Sequence, residues 1–525
     1  DVQDLKPLRA RGSVDVQDLK PPSAMAASKA SFEAVVTHKT LHTSSARLHL
    51  AHDATHLVTS ADGALNIVHL PTATVALRIH VHPDEFTAYA LHPTKHELVA
   101  ASRSRMLHHY AYDLASASAK LARSWKAHKL PVTDLAYEPR GMLVASASAD
   151  STVMVFDVSK GYCTHVFRGH SGVVHRVVFA PKAMLLASAA ADRVIRLWDL
   201  KANHCSAVLD AHVGLPRALV FANDGATLYS GGADQLLNIW EVPAAHGHKK
   251  PLAPKPVTSL TLLEPIESIA LVGVRGELAA GFVTAGGTGL LRAWDAETRA
   301  CVRQQPAPGG AGAQPSPLTQ LLRLGDDRLL GVTEDCNLLV HDAESLAPLR
   351  CIVGDNAEIT DLKLVPVTTS GEAVDATGAM QLAVASNSEQ IKLFDLATMD
   401  CRLLYGHTDV VLALDVSSNG RWIASSSKDC TVRIWDAIGG TLAASCVGHV
   451  ESVGAVAFGG GQGVLLSAAK DRTLKRWDLE PVIGVAPPPP KRKGGSTSRC
   501  GTKPVAALCT VVAHTKEVNA LDRKT

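Results

Sequence analysis

The chain has 525 residues, enough for two or more domains, and its 46% apolar and 19% charged residues are the balance of an ordinary globular protein. A formal net charge of +2 says nothing by itself about nucleic acid, but residues 481–525 hold eight Lys/Arg against two Asp/Glu, so the basic signal lies in the tail. The ten Cys are scattered singly with no C-x-x-C pair, which fits a reducing compartment and argues against a disulfide-stapled secreted fold. No secretory apolar segment opens the sequence. Between Ala437 and Ala469 there is no Lys or Arg, yet Gly, Ser, His449 and Glu451 break the stretch up, so it reads as short strands and no membrane partner is expected.

At the start, Asp1-Val2-Gln3-Asp4-Leu5-Lys6-Pro7 recurs unchanged as Asp15-Val16-Gln17-Asp18-Leu19-Lys20-Pro21, and Met25-Ala26-Ala27-Ser28 would make a natural beginning. Residues 1–29 are expected to be a disordered or artefactual extension outside the fold. A strand near Glu33–Thr40 is expected to close a later unit.

From there the chain is a repeat. Five segments share one spacing: a His, Ser 18 residues on, Asp 4 later, an aromatic 6 later. They are His128/Ser146/Asp150/Phe156, His170/Ser188/Asp192/Trp198, His212/Ser230/Asp234/Trp240, His407/Ser425/Asp429/Trp435 and His449/Ser467/Asp471/Trp477. Through weaker copies the aromatic position runs Val68, Tyr110, Phe156, Trp198, Trp240, Trp294, His341, Phe394, Trp435, Trp477, at intervals of 42, 46, 42, 42, 54, 47, 53, 41 and 42. Thr288 stands where Asp belongs in the Trp294 copy. Within a copy, Val173–Phe179, Leu185–Ser188 and Val194–Trp198 are short apolar runs set off by turn signals such as Ala180-Pro181 and Ala191-Asp192. Three or four strands per roughly 42 residues make one blade of a β-propeller.

Gly169-His170 with Trp198-Asp199, Gly406-His407 with Trp435-Asp436, and Gly448-His449 with Trp477-Asp478 resemble the GH and WD signatures of the WD-repeat family. The resemblance implies that His, Ser, Asp and Trp form a structural hydrogen-bonded tetrad in each blade. The chemistry suits it, since a buried Trp N–H needs an acceptor, Ser supplies one, and His links Ser to a carboxylate. The fold expected is all-β: tandem WD-repeat β-propellers, the first seven-bladed over 30–345. The second is expected to be incomplete, with three blades over 346–480, a Pro/basic linker over 481–507, and a truncated eleventh repeat opening over 508–525. An open arc of that kind would leave strand edges and apolar side chains uncovered.

Ser, His and Asp together raise the question of a hydrolase triad, but one tetrad per blade accounts for every copy, and no catalysis is expected. No Cys/His group has zinc spacing, and His108-His109, adjacent on a strand, point to opposite faces. Gly459-Gly460-Gly461-Gln462-Gly463 and Gly286-Gly287-Thr288-Gly289 lack the Lys-Ser/Thr of a phosphate loop and read as turns. No cofactor, metal or small-molecule substrate is expected. Pro487-Pro488-Pro489-Pro490-Lys491-Arg492-Lys493 reads as a solvated linker, with Lys491, Arg492 and Lys493 as an alternative RNA or nuclear-import patch.

Four runs carry a closer resemblance, of which Ala385–Ser388 and His407–Val416 are the more specific. Phe167–His175, Val384–Phe394, Gly406–Val416 continuing to Trp435-Asp436, and Ala513–Leu521 resemble the transducin-β-like tandem propellers of the small-subunit processome, a likeness that spans about residues 30–521. The resemblance implies a nucleolar subunit of the UtpB assembly, with other WD-repeat subunits, U3 snoRNA and pre-rRNA as partners, in a protein whose second ring is complete and which ends in a helical domain. This sequence supplies neither of those parts and reads as truncated. A generic WD-repeat adaptor, such as a ubiquitin-ligase substrate receptor or a ciliary scaffold, is the alternative.

Overall fold

Runs of four to nine residues rich in Val, Ile, Leu and Ala, separated by tight polar turns, favour strands joined by hairpins. The computed structural model describes residues 41–512 except 43–46, 81–83, 244–250, 263, 274–280, 306–315, 326, 354–357, 367–379, 397–399, 460–462, 481–503 and 506. The duplicated opening segment, the strand expected near Glu33–Thr40, Lys491–Lys493 and residues 513–525 lie outside the described residues.

The described strands run in chain order through ten antiparallel four-stranded units: 49–80, 86–126, 132–168, 174–209, 216–261, 266–304, 318–352, 359–404, 411–447 and, for the tenth, 453–478 with 507–512. The second strand of a unit is typically its most buried. Leu185–Ala190, Gly281–Gly286 and Trp422–Ser427 are buried at every position, which explains their small Ala, Ser and Gly residues. A strand covered on both faces has no room for alternating large side chains.

The turn between second and third strands is built alike in unit after unit. Arg105, Ser151, Arg193, Gln235, Cys336, Cys430 and Arg472 all adopt positive φ, between 61° and 71°. In five of these turns the residue just before is the Asp of the repeat spacing. A non-glycine residue there carries strain, of about 1–2 kcal/mol by general estimates.

Each unit packs face to face with its neighbours. Val58, Leu65 and Ile67 meet Tyr89 and Leu98 between units one and two, and Val99 and Leu107 meet Val144 and Phe156 between two and three. Comparable clusters join three to four, four to five, five to six and six to seven. The succession then returns to its start: Leu48, Leu57 and Val68 of unit one pack with Leu330, Val332 and Leu338 of unit seven. Units eight to nine and nine to ten are joined in the same way. On the first strand of unit eight, Ile359, Leu362 and Leu364 are more than half exposed.

Polar links reinforce these faces. From one first strand to the next, Asp134 accepts the Val177 N–H (3.0 Å), Ser268 Oγ accepts the Leu321 N–H (3.0 Å), and Asp361 accepts the Leu414 N–H (2.8 Å). Gln320 does the same from unit seven to unit one, accepting the Leu48 N–H and donating to the Leu48 carbonyl, both at 2.8 Å. All four residues follow a register break in their own strand, which turns them away from the regular ladder.

Units seven and eight meet differently, edge to edge, where Cys351 pairs with Cys401 and makes one eight-stranded sheet. Residue 345 falls between Leu338–Asp342 and Pro348–Ile352, two strands of unit seven. Ala507–Val512 pairs with Thr473–Asp478 as the fourth strand of unit ten, and Pro504–Val505 runs parallel to Thr441–Val447.

The left-handed turn position gives a direct test. Ser151→Gly should raise the urea midpoint slightly, while Ser151→Val, β-branched at φ 63°, should cost about 1–2 kcal/mol. Equal effects of the two substitutions would contradict a strained turn.

Candidate functional site

In units three, four, five, nine and ten the loop entering the unit carries the His of the repeat, the second strand the Ser, the following turn the Asp, and the third strand the aromatic. In unit four, Trp198 Nε1 donates to Ser188 Oγ (2.8 Å), Ser188 meets His170 Nε2 (2.8 Å), and His170 Nδ1 meets Asp192 (2.9 Å). The structure brings the same four together in units five, nine and ten. Trp240 donates to Ser230, Trp435 to Ser425 and Trp477 to Ser467, each at 2.8 Å. His212 lies 2.8 Å from Ser230, His407 2.7 Å from Ser425 and His449 2.7 Å from Ser467. Asp234, Asp429 and Asp471 lie 2.8–3.0 Å from their histidines. In unit three His128, Ser146 and Asp150 meet likewise, and Phe156 fills the aromatic position without an N–H to give.

Each Asp does more than hold His. Asp192 accepts the Ser171 N–H from the loop entering the unit and the Val194 N–H from its own turn. Asp150, Asp234, Asp429 and Asp471 repeat the arrangement. The chain therefore pins the inter-unit loop to a hairpin turn.

Protonation follows from the surroundings. Burial lowers the pKa of His128, His170, His212, His407 and His449, and their Asp partners only partly offset it. Burial alone would raise the partner carboxyls, but hydrogen bonds from His, Thr and backbone N–H groups outweigh it, taking Asp471 to about 2 and the other four below the ordinary value. A neutral imidazole beside an ionised carboxylate fixes the direction of the relay. Trp donates to Ser, Ser to His Nε2, and His Nδ1–H to Asp. Ser146, Ser188, Ser230, Ser425 and Ser467 have no solvent exposure. The Ser, His and Asp that the sequence groups together are joined inside the sheets.

Departures from the pattern are resolved case by case. In unit six, Trp294 Nε1 donates to Thr284 Oγ1 (3.0 Å), and Glu264 replaces the missing Asp, accepting from the Thr288 N–H (3.0 Å) and hydroxyl and pairing with Arg292. Glu264 lies two residues before the position the His spacing marks, so the spacing could not find it. At the aromatic position of unit seven, His341 is 1% exposed, and burial lowers its pKa to about 4. Of the adjacent pair on the third strand of unit two, His108 meets Ser124 (2.8 Å) and His109 meets Glu97 (3.2 Å).

Comparisons with known proteins agree with this geometry. The family described as WD domain, G-beta repeat matches residues 119–157, 161–199, 203–241, 400–436 and 440–478. The chain is 34% identical over 477 residues to transducin beta-like protein 3 of Bos taurus, covering 89% of this chain and 56% of that protein. It is 34% identical over 466 residues to the Homo sapiens protein of the same name, covering 86% and 55%. Over 168 residues it is 29% identical to U3 small nucleolar RNA-associated protein 13 of Saccharomyces cerevisiae, 29% of this chain and 19% of that protein. The chain thus spans little more than half the length of the transducin beta-like relatives. Its fold is all-β, built from WD repeats in four-stranded sheets of the β-propeller kind.

Two outcomes test the relay. Ser188→Ala should cost about 1–3 kcal/mol in urea unfolding because it strands the Trp198 N–H and the His170 ring, and Ser146→Ala should cost less because Phe156 donates nothing. Equal costs would contradict the relay. The pH dependence has a fixed sign, since histidines with lowered pKa bind fewer protons folded than unfolded. The stability they confer is complete above about pH 6.5 and falls as pH drops below it. The carboxyls with lowered pKa add a second loss toward pH 2. A thermal midpoint unchanged between pH 7.5 and 5.5 would contradict this.

Proposed function

We propose that this chain is a non-catalytic scaffold of a nucleolar pre-ribosomal particle, supporting U3 snoRNA-dependent pre-rRNA processing and production of the small ribosomal subunit. The observation that carries the reading is the likeness to transducin beta-like protein 3 through 89% of the chain, with the U3 small nucleolar RNA-associated protein matching a shorter stretch. Val384–Phe394 and Gly406–Asp436 are the runs in which the resemblance is most specific. Other WD-repeat subunits of the UtpB assembly are the expected neighbours, with U3 snoRNA and pre-rRNA contacted directly or through them.

The physical fit is that of a rigid frame. Every tetrad serine is fully buried, so these residues serve rigidity, and binding falls to turns and strand edges. Within the frame, the first seven units form one ring and the units from 359 onward a second body. The return of packing from unit seven to unit one and the edge-to-edge strand pairing with unit eight support that division.

Tagged protein should sediment in large complexes with U3 snoRNA, and its depletion should let unprocessed pre-rRNA accumulate. Diffuse cytoplasmic protein in small complexes would point to a generic adaptor. For the division into two bodies, limited proteolysis should leave a protected fragment ending between Ile352 and Ile359. Cleavage falling equally within both parts would sink it.

A further inference from the structure

The first strands of units two to seven share a feature that the repeat spacing does not reveal. Each has one extra residue at a break in register: Thr87, Thr133, His175, Arg217, Glu267 and Thr319. All six reach solvent, while the residues on either side of each are buried. The first strands lie inside the succession of units that Leu48 and Gln320 close, so the six line the space those strands enclose. Arg47, half-buried, enters the same space at the start of unit one.

The lining has a definite charge. The hydroxyls of Thr87, Thr133 and Thr319 donate to the carbonyls of Ala101, Val174 and Val332, so charged residues set its character. Arg217 pairs with Glu267. Behind them Arg176 lies 3.7 Å from Asp134 and donates Nε–H to the Arg217 carbonyl (3.0 Å). Arg47 feels both Asp134 and Glu267, yet among the described residues neither is in ion-pair contact with it. His175 and His49 are held toward the neutral form, by burial first and then by Arg217 and Arg47 respectively. Three guanidiniums therefore face two carboxylates. Burial raises Asp134 to about 6, despite the pull of Arg47, which weakens the negative side further. Enclosing an unpaired guanidinium is costly unless an anion completes it.

We propose that the space enclosed by the first strands of units one to seven is an oxyanion site, in which Arg47 and Arg217 bind a phosphate group. A guanidinium presents a planar fork of donors matched to phosphate oxygens. Glu267 takes one edge of the Arg217 fork, and among the described residues Arg47 has no ion-pair partner. Arg176 and Asp134 form the second layer, bracing Arg217 from behind through its carbonyl.

Calorimetric titration of the full chain with inorganic phosphate, at ionic strength held constant with chloride, tests the assignment. One saturable site is expected. Arg47→Gln and Arg217→Gln should each weaken it by about tenfold or more. Arg47→Lys, which keeps the charge and loses the fork, guards against loss of fold and should also bind more weakly. Asp134→Asn keeps an acceptor for the Val177 N–H, removes a negative charge, and should tighten binding. Replacing Lys491, Arg492 and Lys493 with Gln together should change nothing. Adenosine monophosphate binding alongside inorganic phosphate would assign the site to phosphomonoesters, and phosphate binding alone would assign it to the free ion. No saturable binding, or binding that survives Arg47→Gln undiminished, would overturn the proposal and leave the five charged residues as a purely structural network.

Discussion

A four-stranded sheet with apolar side chains on both faces cannot stand alone in water. It needs a neighbour on each side, and that requirement organises this chain. Strand Leu185–Ala190 has no exposed residue because unit three covers one face and unit five the other. Packing around a circle satisfies the requirement for every unit without leaving a first and a last, and the meeting of Leu48 and Leu57 with Leu330 and Val332 does this for unit one. Face packing alone is permissive about alignment, since apolar surfaces slide. The side chains of Asp134, Ser268, Gln320 and Asp361, each bound to one particular N–H of the next first strand, remove that freedom. Hydrophobic burial holds the units together, and these directional bonds set their alignment.

The relays solve a second problem, the loop between units. A chain leaving one sheet must turn inward to begin the next, and such a loop has backbone N–H groups to satisfy. Asp192 takes one from the loop at Ser171 and one from its own turn at Val194, and is itself positioned by His170. Hydrogen bonds from His170 and from the Ser171 and Val194 N–H groups outweigh burial and keep Asp192 ionised, and a charge-assisted bond to a backbone donor is the stronger kind. Unit six reaches the same end with Glu264. What the fold demands at this place is a carboxylate, from whichever side of the turn the sequence can supply it.

This explains what could be read in advance. The relays were legible because four chemically distinct residue types must recur at fixed separations, and His, Ser, Asp and Trp at 18, 4 and 6 are hard to produce otherwise. Ser230, Ser425 and Ser467 could be placed from spacing alone for that reason, each fixed by a His before it and a Trp after it. The links between first strands were hidden because the position demands only an acceptor, and Asp, Ser and Gln all qualify. The lining residues were harder still to see, since Thr, His, Arg and Glu share nothing except a place at a break in register. Glu264 escaped because its unit keeps the hydroxyl-to-Trp spacing of Thr284 and Trp294 but supplies its carboxylate from the loop before the sheet, where the spacing does not look. Residue 345 was set by counting repeats, but a repeat counted from His to aromatic omits the fourth strand, and Pro348–Ile352 is the fourth strand of unit seven. The same count omits Ala507–Val512, which pairs as the fourth strand of unit ten, while residues 513–525, where a further repeat is expected to open, lie outside the described residues.

The join between units seven and eight follows from the first constraint. Unit seven has spent both faces, one on unit six and the other on unit one. What remains is its outer edge, Pro348–Ile352, and the only way to attach a further sheet there is through backbone pairing, as Cys351 does with Cys401. A single paired position is a weak hinge, and the neighbouring side chains brace it. Arg350 donates to the carbonyls of Leu70 and Pro71 in unit one and to Asp400 in unit eight, and so spans three units at once. Gln390 of unit eight reaches Ser316 and Asp335 of unit seven. Polar bracing of an edge resists shear far less than an apolar face does, because water can replace each bond as it opens. Relative movement between units should therefore concentrate at this join, because the neighbouring units on either side of it are held by packed apolar faces.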